Sequence, residues 1–364
     1  MKDFIRPRLV LGSVLRPVDD HRMYEKLGIA LNALKKYDLH IIGFCSQMPV
    51  RHKNITFHAL FSFERMSVER IIAPLRFLIK LIKLKPEVVV VNSPDLLIVT
   101  IWYKILFGKK LIYDVLENYH ANVMFANTFP APVRRLLAAG VRLTEWVSRP
   151  FVTEYWLAER VYVQELPFVK GKYRIVENRF PLLTDVVVKP RRGRHHLLFS
   201  GTISESYGVF KAIDLVKALH AIDPAYHLTI IGFAAQPAVR SRLYEQTNGL
   251  SFIHLIGIKA PVPHSQILRK VQEADIGLLP YQLNKAVVHR VPTKMYDYLV
   301  LGLPCILSYN PFWLKEARPY SGLVSFYDYD FGSLVGFISM TSIFVNVIGL
   351  DDLYFTIEIS NTNL

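Results

Sequence analysis

The chain has 364 residues, a formal net charge of +14, 51% hydrophobic residues and two cysteines. That length exceeds one ordinary core and suits two domains, and the apolar content excludes a disordered chain. Two distant cysteines, Cys45 and Cys305, exclude a disulfide framework and a cysteine-based metal site, and their apolar surroundings predict buried thiols.

The first twenty residues hold a short apolar run broken by Arg16 and Pro17. It is not the continuous apolar region of a signal peptide, so a cytoplasmic chain is expected. Arg8–Leu15 reads as a strand, His21–Lys36 as one amphipathic helix, and Leu39–Cys45 and Ile55–Leu60 as further strands. In Arg70–Pro86, Arg76, Lys80, Lys83 and Lys85 punctuate an apolar run. This is either an interfacial helix whose basic face lies on an anionic membrane, or a core helix with a solvated edge. The Val-rich run at 88–91 suits a buried parallel strand, and 109–115 suits another. Ala131–Glu165 reads as mainly helical, and Thr184–His196 as a polar, basic linker between domains.

Beyond the linker the alternation repeats. Strands are predicted at His195–Ser200, His227–Ile231, Ser251–Ile256, Ile276–Leu279 and Pro304–Leu307, with helices between them. Two such series predict an α/β protein of two doubly wound, Rossmann-like domains facing a cleft. The expected bounds are 1–184, 185–330 and a divergent tail, 331–364. Phe331–Leu350 carries no charge and reads as a buried or interfacial helix, with a membrane span as the alternative.

In such sheets ligands bind where strands end in loops. The stretch "FSGTISESYGVFKAIDL", from Phe199, passes from strand through a small polar turn to a helix start. Its backbone N–H groups suit an anion; Gly201 and Gly208 could equally serve only the turn. In "HRVPTKMYDYLVLGLPCILS", from His289, Thr293 suits a helix cap and Lys294 can reach an anion or water. Asp297, one turn on, can accept from a vicinal diol or stand as a surface charge. The excess positive charge favours phosphate-bearing ligands or anionic membrane. No nucleic-acid motif or stacking platform is found, so nucleic acid is set aside.

The ordered set "SGTISESYGVFKAI", "ADIGLLPY" and "PTKMYDYLVLGLPCI" resembles the donor-binding half of family 4 glycosyltransferases of the GT-B fold. "YDVLENYH" and "LAERVYVQELPFVKGKYRIVENRF" are similar to its first half, so the resemblance covers nearly all the chain before the tail. It implies a nucleotide-diphosphate sugar as donor substrate, no metal or other cofactor, and transfer with retention. Carried over by position, Gly201, Thr202, Tyr207 and Gly208 form the loop facing the leaving diphosphate, with Tyr281, Arg290 and Lys294 around it. Asp297 stands in the ribose position, and Ile258 and Lys259 fall beside the base.

Two donor-phosphate cations usual in the family are Thr202 and Tyr207 here, and Arg290 with Lys294 can compensate. His289 stands where the family often has a further Glu about two helical turns before the ribose carboxylate, and Leu116 replaces a His of the first half, with His120 nearby but not equivalent. Glu117, His120, Asp19 and His289 are the catalytic candidates. Glu117, His120 and Asp19 each have a plain alternative: a paired carboxylate at a strand end, a loop histidine, a helix cap. Asp328–Asp330 mimics a metal-binding Asp-x-Asp outside the expected site, and no metal is assigned. The basic helix points to a lipid-linked or saccharide acceptor at the inner face of the plasma membrane, as in surface polysaccharide synthesis. A non-catalytic sugar-nucleotide-binding subunit and a nucleotide-sugar epimerase on the same fold are the alternatives.

Overall fold

Two sheets, in which every strand pairing is parallel, carry the computed structural model of the chain. It describes residues 6–46, 51–63, 67–125, 130–169, 171–180, 195–283, 287–317 and 323–326. These fall in two compact units, within Met1–Leu182 and Leu183–Tyr354. Most of the predicted linker, all but four residues of the final 47, and the Asp-x-Asp lie outside the described residues.

The first unit has seven strands: β1 (Arg8–Pro17), β2 (Asp38–Phe44), β3 (Ile55–Phe61), β4 (Val88–Val91), β5 (Lys110–Val115), β6 (Glu154–Leu157) and β7 (Tyr173–Ile175). Their order is β3-β2-β1-β4-β5-β6-β7. Its helices are α1 (Ile29–Ala33), α2 (Glu69–Leu84), α3 (Pro94–Phe107), α4 (Tyr119–Phe125), α5 (Ala131–Ser148) and α6 (Tyr162–Glu165). All four valines of β4 are buried, as a strand covered on both faces requires. Helix α2 docks through Ala73, Phe77 and Leu81. The Phe77 ring lies where a side chain on Gly12 of β1 would sit: a Cβ there would be 2.4 Å from it.

The second unit has β8 (His196–Thr202), β9 (His227–Phe233), β10 (Ile253–Ile256), β11 (Ile276–Leu279), β12 (Cys305–Ser308) and β13 (Leu323–Phe326), in the order β10-β9-β8-β11-β12-β13. Its helices are α7 (Val209–Ile222), α8 (Pro237–Thr247), α9 (His264–Glu273), α10 (Thr293–Val300) and α11 (Pro311–Ala317). Both sheets are doubly wound, and the predicted fold class holds in each.

Several expectations are corrected. His21–Lys36 is not one α-helix: His21–Gly28 is wound as a π-helix and leads into the short α1. Ala131–Glu165 is mainly helical as expected, in α5 and α6, but Glu154–Leu157 between them forms β6, with Tyr155, Trp156 and Leu157 buried in the sheet. Cys305 is buried as expected, but Cys45, just past β2, is exposed. Thr293 does not hold the cap position of α10; Pro292 does, and Thr293 is the first helical residue. Among the described residues, no helix is long and apolar enough to cross a membrane.

Candidate functional site

In each sheet the strand order reverses beside the first strand, between β1 and β4 and between β8 and β11. The loops at the carboxyl ends of such a pair diverge to opposite faces and leave a crevice for a ligand. In the second unit those loops are Ile203–Gly208 after β8 and Pro280-Tyr281 after β11. Both fall within the sequence-predicted donor segments.

The β8 loop is built to present backbone. Gly201 and Gly208 are left-handed, at φ +84° and +80°. The Ser204 hydroxyl accepts from the Tyr207 N–H at 3.2 Å, and the Gly208 N–H donates to the Glu205 carbonyl at 2.9 Å. The Gln282 N–H donates to the Ser206 carbonyl at 2.8 Å and ties this loop to the end of β11. Gly208 caps α7 without a side chain. A helix start of this kind has orphan N–H groups and a partial positive charge.

Lys294 meets the loop from α10. Its ammonium donates to the Ser200 carbonyl. It lies 4.9 Å from the Phe199 ring, 5.3 Å from Tyr207 and 5.4 Å from Tyr281. Tyr207 and Tyr281 stack at 4.6 Å, so the cation is held by a pair of phenol faces and a phenyl. Burial pushes its pKa down to about 7, against the pull of Asp297. The lysine is therefore not the freely reaching chain that its helix-start position suggests. Gly201 leaves room for it: a Cβ there would lie 3.4 Å from Lys294 Cε.

Asp297, also on α10, is buried. One carboxylate oxygen is 3.3 Å from His264 Nε2, and the other has no hydrogen-bond partner among the described residues. A buried acceptor without a donor is costly, and a ligand hydroxyl would satisfy it. His264 was not predicted: it begins α9, and nothing in the linear spacing brings it to Asp297. Phe199 and Ser200 were also missed as site residues. The Ser200 hydroxyl shares a 2.8 Å bond with Tyr298 and so anchors α10 to β8.

The remaining predicted residues lie at the ends of β8 and β10 and just before α10. Thr202 is exposed at the end of β8. Lys259 is exposed after β10, its ammonium 5.8 Å from the Tyr244 ring. The Arg290 carbonyl accepts from Trp313 Nε1 at 2.7 Å, and His289 sets its exposed ring edge-on to Phe312.

In the first unit, Asp20 caps the π-helical segment, accepting from the Arg22 and Met23 N–H groups at 2.9 and 3.1 Å. Asp19 accepts from the Ser46 hydroxyl. Arg16 joins Asp20 at 3.2 Å to Glu117 at 3.3 Å, and Glu117 also accepts from Asn122. Glu117 is thus a paired, half-buried carboxylate past the end of β5. His120 is half-buried on α4, its pKa lowered by burial and by Arg142. Asp114 is structural: it forms a fully buried pair with Arg22, at 2.6 Å and 3.2 Å.

No protein-family model matches the sequence, and no curated protein does. Solved structures do match. A sucrose-phosphate synthase from Thermosynechococcus elongatus aligns with TM-score 0.61 at 11% identity, over 92% of this chain and 89% of that one. Anabaena HepE, solved with UDP and glucose, aligns with TM-score 0.55 at 11% identity, over 92% and 89%. A Listeria monocytogenes protein described as a UDP-N-acetylglucosamine 2-epimerase aligns with TM-score 0.54 at 11% identity, over 91% and 86%. At these identities the likeness establishes the fold, two Rossmann-like α/β domains of the GT-B type.

Proposed function

We propose that the chain is a metal-independent glycosyltransferase of the family 4 kind. The second domain holds a nucleotide-diphosphate sugar, and the first receives the acceptor. One observation carries this reading: Lys294, the left-handed Gly201 and Gly208 and the start of α7 converge where the second sheet reverses its order. Backbone N–H groups and one desolvated ammonium suit a leaving diphosphate, whose charge grows as the glycosidic bond breaks. The unpartnered oxygen of Asp297 suits a ribose hydroxyl. Asp19, Glu117, His120 and His289 are the candidates for acceptor activation and sugar contact, and transfer is with retention. A lipid-linked saccharide at the inner face of the plasma membrane is the acceptor class, supported by the basic, apolar α2.

The test is calorimetric titration with a panel of nucleoside diphosphates. Selective binding is expected, weakened at least about 30-fold by Lys294→Ala and about tenfold by Asp297→Ala, as for loss of a charge-assisted contact and of one hydrogen-bonded acceptor. The affinity also falls as pH rises from 6 to 8, because the ammonium with a pKa near 7 loses its charge across that window. Lys294→Ala removes that slope. No binding to any nucleotide overturns the donor-site assignment.

The fold shared with the Listeria protein supports a second reading, an epimerase acting on the donor alone. Conversion of the sugar nucleotide with no acceptor present would favour it. Binding without turnover across acceptors would favour a non-catalytic subunit.

A further inference from the structure

Three neighbouring helices of the first unit are apolar on the face turned away from their sheet. Helix α3 packs against both α2 and α5. On α2 the docking side is Ala73, Phe77 and Leu81, whereas Ile71, Leu75, Ile79 and Ile82 are exposed, Ile71 by 79%. At about 100° per residue these four lie roughly opposite Phe77. On α3, Leu97 and Ile101 are buried while Trp102 and Ile105 are exposed, Trp102 by 59%. On α5, Ala138 and Glu145 are buried while Leu136, Leu143, Trp146 and Val147 are exposed, Leu136 by 74%. Soluble monomers rarely leave so much clustered apolar surface in water.

The charge on these helices has one sign where it is free. Lys83, Lys85 and Arg135 are exposed among or beside the apolar stripes. The acidic residues of the three helices are Glu69, Asp95 and Glu145. Asp95 pairs with Arg70 at 2.9 Å and Glu69 with Arg76 at 3.7 Å, while Glu145 is buried and held by Arg142. Lysine is depleted at protein–protein interfaces, whereas lysine, arginine and tryptophan among aliphatic side chains suit the headgroup region of an anionic bilayer.

We propose that α2, α3 and α5 together form a bilayer-docking face that lies in the plane of an anionic phospholipid surface, with Trp102 and Trp146 as its interfacial anchors. This deepens the membrane-contact reading and rests on it, but does not depend on the transfer chemistry. The face is one-sided and non-spanning, since each helix presents one lipid-facing stripe and buries the other against the sheet.

The experiment is co-sedimentation of the full chain with phosphatidylcholine vesicles, with and without phosphatidylglycerol, alongside Trp102→Glu/Leu136→Glu and Arg76→Glu/Lys83→Glu. Sedimentation velocity and circular dichroism are run on each protein. The expected result is binding to the phosphatidylglycerol vesicles that weakens with salt and falls at least about tenfold in either double variant. Unchanged helicity and unchanged nucleotide binding are expected, because these side chains are exposed and lie in the other unit from Lys294. Binding lost only in Arg76→Glu/Lys83→Glu would leave a membrane contact through α2 but overturn the three-helix face. No vesicle binding by the unaltered chain would overturn both. A dimer that Trp102→Glu/Leu136→Glu converts to monomer, without lipid binding, would assign the face to a second copy and overturn the proposal.

Discussion

Asp114→Ala is expected to lower the unfolding free energy of the first unit by about 3–5 kcal/mol. Arg22 and Asp114 are both almost wholly inaccessible, and the Arg22 guanidinium spends its other donors on the Val176 and Glu177 carbonyls, at 2.8 and 3.4 Å. Removing the carboxylate leaves a guanidinium buried without its counter-charge, in an interior where water cannot replace it. The pair joins β5 to the π-helical segment and to the chain beyond β7, so its loss loosens three parts of the unit together. Urea unfolding followed by tryptophan fluorescence reads the change, since Trp156 of β6 is buried in this unit. Arg22→Met/Asp114→Leu is expected to recover most of the loss, because replacing both charges removes the desolvation cost along with the attraction. A single Asp114→Ala variant as stable as the parent would show that the pair is solvated.

Gly208→Ala is expected to destabilise the second unit by roughly 3 kcal/mol or more, and to abolish nucleotide-diphosphate binding. The left-handed φ of +80° costs an alanine about 1–2 kcal/mol on its own. The larger part is steric: a Cβ at Gly208 would lie 1.9 Å from the Pro280 carbonyl oxygen. Backbone cannot rotate aside as a flexible side chain does, so the loop after β8 and the end of β11 must separate. Those two segments carry Tyr207 and Tyr281, the stacked rings beside Lys294. Gly201→Ala is the matched control. It has the same sign of φ, but its nearest neighbour is the Lys294 chain at 3.4 Å, so it should lose only about 1–2 kcal/mol. Thermal unfolding of both variants, with nucleoside diphosphate titrations, checks the contrast. Equal losses would mean that strain, not the approach of Pro280, sets the cost.

Much of the architecture could be read from the order of residues because its signals are local. The four consecutive valines of β4 and the Ile276–Leu279 run of β11 are strands covered on both faces, and a short apolar run is their direct signature. The turn from β8 to α7 was legible for the same reason: Gly201 and Gly208 stand where the backbone needs left-handed φ. The errors fall where local pattern is ambiguous. Glu154–Leu157 follows a long helix and has no period of its own; it is a strand because β5 offers it an edge. The segment from His21 has helical periodicity, which cannot tell π-helical winding from α.

By itself, the sequence determined two parallel α/β units, the strand-end loops that carry the candidate residues, and a basic surplus, because each rests on spacing along the chain. Tertiary structure decided which of those residues act together. It set Lys294 against the Ser200 carbonyl and among three aromatic rings, brought His264 to Asp297, and buried Asp114 against Arg22. It also turned apolar stripes of α2, α3 and α5 outward, which a helix apolar on two faces does not reveal, since periodicity reports a stripe but not which way it points. Burial and pairing are made by contacts between distant segments, and no spacing within one segment encodes them.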